Sequence, residues 1–577
     1  MSGIIDAVFN TSIGWLLNKG RDIIAETLLE GDVTNKKIRD LIVRELEDIK
    51  SKLDGLSEKD LWAALDFFET GLRFLFKALE VNPNGQASFV TAETSVRVTS
   101  KSLNVLSVAD TAKIVSVAVD RIEKNNSPET TNNAFDEARE RFKMARERAT
   151  DASNNKSLGI FDRITAIRYR VMAAMLESVI KSIERADTAG DMSCLSVEIA
   201  LENALPECEQ CLQRLHSLPA VQSTFKVALE KGLLSRINRD ERTEMIVMVC
   251  QVNSAIFNAK QAVGKDTRIW PCVDIGEDKV DPLRDGRISE LMRSVNMEHF
   301  CVKPRSFGQS GGEKHKLKFP YGIATNIPGY FFIIDENKTV KVFNSNGVFH
   351  SSFIPKTADS GRKVYSHIRD VAITDVDNKI YLLVDLKKSG VEEWQGEVQV
   401  YNYHKTADLQ HTFPVQRGGW GLAVSGKSTV LVLVDNVVYV YDQKGHFLWP
   451  IGENLFRDAS DVATTRDGRV AIVDGEDSCV YIFNMEGIQL AKFKMSEGVR
   501  YYRMACHPLG HYVAIAGLER KTRRLILTLY TLKEKLVSNI YMQEKNIYSI
   551  AGITAAAKGH IAVALRSDTT SKAIVLC

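Results

Sequence analysis

The sequence predicts a multidomain protein that is α-helical in its first half and all-β in its second half. The expected architecture is an N-terminal α-helical bundle or short solenoid followed by a six-bladed β-propeller. Two observations carry this prediction. Apolar residues recur at helical spacing through much of residues 1–265, and similar units follow one another from about residue 316 to the end. A chain of 577 residues is also too long for a single core.

The repeat is clearest in two segments of the second half. Residues 322–347 read GIATNIPGYFFIIDENKTVKVFNSNG and residues 461–487 read DVATTRDGRVAIVDGEDSCVYIFNMEG. Each has a short strand, a turn, an apolar strand that ends in Asp, a polar turn and a third, alternating strand. Weaker copies begin at Asp370, Gly421, Arg503 and Gly552. Starts that lie roughly 40 to 50 residues apart indicate propeller blades.

The helical half divides at Ser127-Pro128, where proline suits a helix start. This gives a first helical domain at residues 1–125 and a second, of antiparallel helix pairs, at 126–265. Pro206 should kink or break one of these helices, and Pro219 should open another.

Residues 266–315 are rich in Pro and Gly and indicate a linker before a propeller at 316–577. The C-terminus supplies only the third strand of its blade. We therefore expect residues 299–303, or a neighbouring segment, to close the ring, because closure removes exposed sheet edges.

Composition favours an ordinary cytoplasmic protein. The content is 44% hydrophobic and 26% charged, with a net charge of only +2. By residue count, positions 301–577 carry about +8 and positions 1–300 about −6, so the propeller half is the basic one. Nine cysteines are few, odd in number and mostly set in apolar runs, as expected of reduced thiols. The N-terminus lacks a basic leader, and no apolar stretch is long enough to span a bilayer.

Two blades resemble the NHL family of six-bladed propellers. The resemblance rests on FPYGIATNIPGYFFIIDENKTVKVFNSNGVF at residues 319–349 and DVATTRDGRVAIVDGEDSCVYIFNMEGIQLAKF at 461–493. It covers about the last 260 residues, and the units at Arg503 and Gly552 lack the Asp after the second strand. It implies a ligand-binding platform. NHL propellers often follow helical segments in proteins similar to the tripartite-motif family, but the Cys/His pattern of that family's zinc modules is absent, so ubiquitin-ligase activity is not implied.

One segment matches a nucleotide-binding motif. Residues Gly421 to Ser428 read GLAVSGKS, which has the spacing of a phosphate-binding loop. That mechanism needs a helix after the loop, whereas Thr429 to Val434 is β-branched and apolar. The segment also lies in register with the other blades. We interpret it as a blade hairpin and predict no enzyme activity and no cofactor.

Cys208 and Cys211, with His216 nearby, supply half of a zinc-ligand set. A closed structural site needs four ligands, and Cys194 is the only further nearby candidate. Residues three apart share a helix face, so packing of two thiols in the bundle explains the spacing equally well. No metal site is predicted.

The basic rim of the propeller is the candidate binding surface. In a blade, the turns before the first strand and after the second strand lie on one rim, and here they contain cations and aromatic residues that suit single-stranded RNA. Some NHL propellers are similar in using this rim for RNA. Acidic residues such as Glu476 and Asp477 interrupt the ring, which also fits a polar rim for protein contacts. The candidate residues are Arg362, Lys363, Arg369, Arg417, Trp420, Arg457, Arg500, Tyr501, Tyr502, Arg503, Arg520, Lys521 and Arg523.

Three functions remain open at this point. The first is a non-enzymatic adaptor or scaffold, whose helical half mediates self-association or protein docking and whose propeller rim binds a ligand. The second is an RNA-binding regulator that uses the rim. The third is a membrane-active effector that uses the apolar first helix around Trp15. That helix lacks the basic edge typical of interfacial helices, which favours a buried place in the bundle.

Overall fold

The structure is a computed structural model in which most of the chain can be described. The described residues are 46–47, 49–50, 53, 58–80, 128–189, 194–230, 239–267, 269–276, 278–309, 314–336, 338–355, 364–374, 378–388, 393–403, 407–426, 429–465, 467–496, 498–507, 510, 512–532, 535–544, 547–556, 560–567 and 571–576. The apolar helix predicted around Trp15 lies outside them.

The chain forms two compact units, Met1–Thr267 and Arg268–Cys577. A helical region is thus followed by a β-propeller, and the predicted fold class is confirmed. The described helices of the first unit are α1 (Lys59–Glu80), α2 (Pro128–Asn154), α3 (Ile160–Ala189), α4 (Cys194–His216), α5 (Pro219–Glu230) and α6 (Arg239–Ala262).

An aromatic cluster joins the first three of these helices. The ring of Phe68 on α1 meets the edges of Phe142 on α2 and Tyr169 on α3, with centroids 5.3 and 5.1 Å apart. All three side chains are fully buried. Edge-to-face packing adds to the free energy gained by burying these rings. Helices from both sides of the boundary predicted near residue 125 therefore share one core.

The two prolines of this unit behave differently. Pro206 lies inside α4, which continues through it from Cys194 to His216, so the predicted break does not occur. Pro219 is the first residue of α5, where its missing amide hydrogen costs nothing.

The described residues of the second unit form short strands and the α-helix α7 (Gly286–Ser294). Its strands are β1 (Val273–Asp274), β2 (Lys279–Val280), β3 (Arg305–Phe307), β4 (Pro320–Thr325), β5 (Phe331–Asp335), β6 (Thr339–Phe343), β7 (Phe349–Phe353), β8 (Val364–Ile373), β9 (Lys379–Lys388), β10 (Gln395–Tyr403), β11 (Ala407–Val415), β12 (Gly419–Val424), β13 (Val430–Val434), β14 (Val437–Tyr441), β15 (Phe447–Ile451), β16 (Ala459–Thr464), β17 (Val470–Asp474), β18 (Cys479–Phe483), β19 (Gln489–Lys494), β20 (Val499–Cys506), β21 (Val513–Glu519), β22 (Leu525–Tyr530), β23 (Leu536–Tyr541), β24 (Ile547–Ala555), β25 (Ile561–Ser567) and β26 (Ser571–Leu576).

These strands form antiparallel sheets arranged around an axis. We number the sheets by chain order: sheet 1 is β4–β7, sheet 2 is β8–β11, sheet 3 is β12–β15, sheet 4 is β16–β19, sheet 5 contains β20–β23, and sheet 6 is β24–β26 with β3. The first strand of each sheet contacts the first strands of its two neighbours, so the inner strands β4, β8, β12, β16, β20 and β24 follow one another in a closed circle.

The sheets differ in the number of their strands. Five sheets have four strands, whereas sheet 5 has six in the order β1-β2-β23-β22-β21-β20. The extra strands come from the segment predicted as a linker: β2 joins β23 in parallel, with Val280 opposite Asn539. This segment therefore covers the outer edge of sheet 5, which would otherwise be open to pairing.

Ring closure uses a strand from before the repeats. Strand β3 pairs antiparallel with β26, Phe307 lying opposite Ala573. The segment first named for this role, residues 299–303, is not the strand, since Glu298–Phe300 forms a 3-10 helix. A neighbouring segment, two residues further on, supplies the fourth strand.

The Asp that ends the second strand of the clear repeats has a structural role. Asp335 accepts hydrogen bonds from the backbone amides of Lys318 and Phe319, 2.9 and 2.8 Å away, in the loop that enters β4. Asp474 likewise accepts from the backbone amide of Arg457 at 2.8 Å, in the loop that enters β16. Both carboxylates are buried. Each fixes the loops on the rim predicted to bind a ligand.

Candidate functional site

A groove of about 700 Å³ lies between sheets 4 and 5, on the rim that the sequence marked as a binding surface. This volume is within the usual range of ligand-binding clefts. Five of the predicted rim residues line it: Arg457, Arg500, Tyr502, Arg520 and Arg523. The remaining lining residues are Asp458, Gly475, Leu518, Glu476 and Glu519.

The sheet 4 wall of the groove is held by Asp474. Besides the amide of Arg457, this carboxylate accepts from the amides of Glu476 and Asp477 at 3.0 and 3.1 Å. The adjacent Gly475 donates its amide hydrogen to the carbonyl of Asp458 at 2.8 Å. A Cβ on Gly475 would lie only 3.0 Å from a carboxylate oxygen of Asp458. Glycine therefore allows the two loops to approach closely.

The sheet 5 wall is an extension of the inner hairpin. In sheet 4 the pairing of the first two strands ends at Ala459 opposite Asp474. In sheet 5 the equivalent pair is Tyr501 opposite Gly517, and pairing continues through Arg500 with Leu518 and Val499 with Glu519. Two additional residue pairs thus extend β20 and β21 along the rim. The inner hairpin of sheet 2 also extends past the equivalent pair, so such an extension is not confined to sheet 5.

Two of the groove arginines are bound to the protein itself. The Arg523 guanidinium donates to the carbonyls of Ile547 and Tyr548 at 2.9 and 2.6 Å, which ties the β21–β22 turn to sheet 6. The Arg500 guanidinium lies over the ring of Tyr502, 5.3 Å from its centroid. This cation–π contact stiffens Arg500 without satisfying its hydrogen-bond donors.

The charges of the groove are mixed but favour anions. Four arginines face three carboxylates. Arg457 is 68% exposed and lies 4.0 Å from Glu476 and 3.8 Å from Asp477, which makes for weak ion pairs. Arg500 and Arg520 are exposed, and neither forms a salt bridge within the described part of the chain. The arrangement can therefore bind negatively charged groups by charge-assisted hydrogen bonds.

The other predicted rim residues do not join this groove. Arg369 donates to Asp385 at 2.7 Å and lies 5.2 Å from the centroid of Trp420, which is 56% exposed. Arg417 is exposed in the turn before β12. Lys521 is exposed in the β21–β22 turn but does not line the groove. Arg362 and Lys363 lie outside the described residues, and so does the side chain of Tyr501.

A second polar site, which the sequence analysis missed, lies where the inner strands meet. Each inner strand has a bulge immediately before one equivalent position. We call these six residues the axial positions: Gly322, Asp370, Gly421, Asp461, Arg503 and Gly552. They are the residues at which the six sequence repeats begin, so the alignment of the repeats was the signal that could have found them.

The two axial carboxylates join neighbouring sheets. Asp370 on β8 accepts from the backbone amide of Leu422 on β12 at 2.8 Å. Asp461 on β16 accepts from the backbone amide of Met504 on β20, also at 2.8 Å. The glycines allow close approach at other junctions: a Cβ on Gly552 would lie 2.9 Å from the backbone nitrogen of Ile323.

Arg503 is an axial residue, and its assignment to the rim was wrong. Its guanidinium donates to the carbonyl of Ala551 in sheet 6 at 3.1 Å and to that of Ser460 in sheet 4 at 3.0 Å. Its charge also lowers the pKa values of Asp370 and Asp461. Arg503 lies at the axis and not on the rim because the bulge between Tyr501 and Arg503 redirects the side chains that follow it.

The axial carboxylates titrate abnormally. The pKa of Asp370 is raised to about 7, chiefly by desolvation and also by the negative charge of Asp461, against the opposing effect of Arg503. Desolvation also raises the pKa of Asp461, whereas Arg503 lowers it. One guanidinium therefore serves two carboxylates, and near neutral pH Asp370 is partly protonated.

The two other motifs found in the sequence have structural positions. Strands β12 and β13 pair antiparallel with Val424 opposite Val430, so the apparent phosphate-binding loop is the hairpin that the blade register predicted. Cys208 and Cys211 are buried in α4, and burial raises the pKa of Cys211 to about 11. Such thiols are poor nucleophiles. The described residues contain no cluster of three metal-binding side chains.

Comparisons with known proteins find only distant structural matches. No family model matches the chain, and no curated protein is significantly similar to it. Among solved structures, a streptogramin B lyase is 11% identical over 48% of this chain and 97% of its own, with a TM-score of 0.32. The WD40 repeats of RRP9 are 10% identical over 47% and 99%, with a TM-score of 0.32. A glucose dehydrogenase is 13% identical over 48% and 99%, with a TM-score of 0.34.

Similarity at this level does not extend to activity. The class that the fold defines is a protein with a helical unit followed by a β-propeller. Where the structure describes helices, none has both the length and the apolar character needed to cross a membrane.

Proposed function

We propose that the protein is a non-enzymatic cytoplasmic adaptor of the NHL type, whose propeller binds a protein partner through the groove between sheets 4 and 5. One observation carries this proposal: rim arginines from separate repeats converge on a single cleft of about 700 Å³. Clefts with a few convergent polar groups are the usual sites of ligand binding. A propeller fold commonly serves as an interaction platform, although function depends on the site.

The residues of the groove support binding rather than catalysis. Its lining has four arginines, three carboxylates, one tyrosine, one leucine and one glycine. Serine, cysteine, histidine and lysine are not among these lining residues, and the groups that could carry a proton are its three carboxylates and Tyr502. Burial of the described thiols, such as Cys506 with a pKa raised to about 12, is compatible with a reducing compartment.

The helical unit would provide the second contact of an adaptor, by self-association or by docking a further protein. Salt bridges join its helices: Arg146 on α2 bonds to Glu177 on α3 at 2.8 Å, and Arg170 on α3 bonds to Glu207 on α4 at 2.9 Å. Trp62 remains 46% exposed on α1, and an exposed aromatic residue suits a protein contact.

A comparison of groove variants in the full-length protein tests the proposal. The tagged wild-type chain, the Arg457→Glu/Arg500→Glu double variant and the Arg417→Glu control would be used to capture partners from the native extract, with quantitative mass spectrometry. We expect a partner that wild type and control retain equally and that the double variant loses at least tenfold. If every retained protein binds the double variant as well as wild type, the groove is not the docking site.

A second candidate function, RNA binding, is favoured by three arginine–aromatic pairs on the same rim. The pairs are Arg369 with Trp420 at 5.2 Å, Arg500 with Tyr502 at 5.3 Å, and Arg566 with Tyr321 at 4.1 Å. Aromatic rings and guanidinium planes can stack on unpaired bases.

Salt dependence tests this alternative directly. Binding of the full-length protein to uniform single-stranded RNA would be measured between 50 and 200 mM salt, with Trp420→Ala as the rim variant. RNA binding requires affinity to fall steeply with salt and to fall further in the variant. Absence of binding at low salt would eliminate this candidate.

A further inference from the structure

The groove between sheets 4 and 5 contains two guanidinium groups, those of Arg500 and Arg520, that form no salt bridge within the described residues. Arg523 is bound to two backbone carbonyls, and Arg457 has only distant acidic neighbours. Arg500 and Arg520 are both exposed, and within the described residues neither is part of a salt bridge. Their side chains enter the groove from adjoining positions, since Arg520 donates its backbone amide to the carbonyl of Gly498, two residues before Arg500.

The same groove discriminates between kinds of anion. Asp458, Glu476 and Glu519 line it together with the arginines. A nucleic acid carries a phosphate at every nucleotide, so its backbone would meet these carboxylates as well as the arginines. A peptide can place single carboxylates against the arginines and present backbone amides or basic side chains to the acidic residues. Mixed charges of this kind give specificity by complementarity.

The apolar part of the groove is small. Leu518 is 3% exposed, and Tyr502 is partly buried and already covered by Arg500. The one aromatic side chain among the lining residues is therefore already in contact with a guanidinium, whereas single-stranded nucleic acids are usually held by bases stacked on several rings. Among ligands of this volume, the lining favours a short extended segment with charged side chains.

We propose that the groove binds an acidic peptide segment of the protein partner, with carboxylates of the peptide paired to Arg500 and Arg520. The inference rests on the proposed adaptor function and specifies the chemistry of the partner. Guanidinium groups pair with carboxylates in a two-pronged geometry that an ammonium group does not reproduce. Arg500 would therefore bind a peptide carboxylate through two parallel hydrogen bonds as well as through its charge.

Fluorescence polarisation with the full-length protein tests this inference. The probe is a labelled ten-residue peptide with two glutamates among glycine and serine, and the matched control peptide has glutamines at the same two positions. We expect binding of the glutamate peptide that is at least tenfold tighter than that of the glutamine peptide. Arg500→Ala and Arg520→Ala should each weaken it about tenfold, Arg500→Lys should recover only part of the loss, and Arg417→Ala should have no effect.

The outcomes separate this inference from the adaptor proposal. If glutamate and glutamine peptides bind alike, while the Arg457→Glu/Arg500→Glu variant still loses its native partner, the acidic-peptide inference is wrong and the adaptor function stands. If uniform single-stranded RNA displaces the peptide and loses affinity in Arg500→Ala and Arg520→Ala, the groove is a nucleic-acid site. Thermal unfolding within 2 °C of wild type would show that the variants are folded.

Discussion

Two arginines on one strand have different roles. Arg503 on β20 lies at an axial position, where it donates to carbonyls of two other sheets and faces two carboxylates. Arg500, three residues earlier, lies in the groove, where its guanidinium contacts the ring of Tyr502 and forms no salt bridge within the described part of the chain. The first arginine has its donors satisfied by the fold, and the second has donors to offer a ligand. A basic residue in a repeat turn is therefore not evidence of binding until its partners are known.

Removing the axial arginine is expected to have the largest effect. Arg503→Ala would leave the carbonyls of Ser460 and Ala551 without this donor and the carboxylates of Asp370 and Asp461 without a cation. We expect the free energy of unfolding to fall by about 3 kcal/mol, because two carbonyls lose a charged donor and two buried carboxylates lose a nearby cation. Urea unfolding measures it. A loss below about 1 kcal/mol would contradict the axial role.

The axial acid should make stability depend on pH. The pKa of Asp370 is raised from its ordinary value of 3.8 to about 7, so the folded protein holds this proton more tightly than the unfolded chain. Its contribution is full below pH 4 and is lost as pH rises through 7. We expect about 2 kcal/mol less stability at pH 8 than at pH 5 from this group.

Urea unfolding at several pH values measures this effect. Asp370→Asn should flatten the decline between pH 5 and pH 8, because the amide does not titrate in this range. Asp408→Asn, on the exposed strand β11, is the matched control and should keep the wild-type profile. An unchanged profile in Asp370→Asn would assign the dependence to other groups.

A side chain added at the axial glycine between sheets 6 and 1 should lower the stability of the protein. Gly552→Ala places a Cβ 2.9 Å from the backbone nitrogen of Ile323, where backbone atoms have to shift. We expect a loss of about 1.5 kcal/mol. In Gly421→Ala the nearest atom is a side-chain oxygen of Asp461 at 3.3 Å, so the loss should be smaller. Thermal unfolding of the two variants compares them, and equal losses would argue against a tight junction between sheets 6 and 1.

The smallest effect on stability is expected at the groove arginine. Arg500→Ala removes an exposed cation and one cation–π contact, so the free energy of unfolding should change by no more than about 0.5 kcal/mol. The same variant should lose the acidic peptide. Stability close to wild type together with lost binding is the reverse of what Arg503→Ala should show. A loss of about 2 kcal/mol in Arg500→Ala would remove the distinction between the two arginines.

The sequence predicted the groove only in part. Turn positions in the repeat frame placed Arg457, Arg500, Tyr502, Arg520 and Arg523 on one rim, and the structure brings these five together. The sequence could not show that Arg369 is bound to Asp385, because this ion pair depends on which side chains the register of strands β8 and β9 brings together. Asp458 and Leu518 were missed, since neither residue type marks a binding site without its surroundings.

Sheet 5 differed from expectation for a similar reason. Residues 266–315 have few apolar runs and many prolines and glycines, which is typical of a linker. Strands of two residues, such as β1 and β2, leave almost no periodic signal. Strand β2 pairs with β23, which lies far away in the sequence. A local sequence pattern therefore cannot predict this pairing.

The sequence by itself determined the helical half, the repeat and the fold class, because these depend on local periodicity and on turn residues that act over a few positions. The tertiary structure decided the rest. It enlarged sheet 5 to six strands, completed sheet 6 with residues 305–307 and divided the arginines between the axis and the groove. The physical reason is that a bulge or a two-residue extension of a hairpin changes the partners of a side chain without changing its type. Those partners determine whether a charge stabilises the fold or remains available to a ligand.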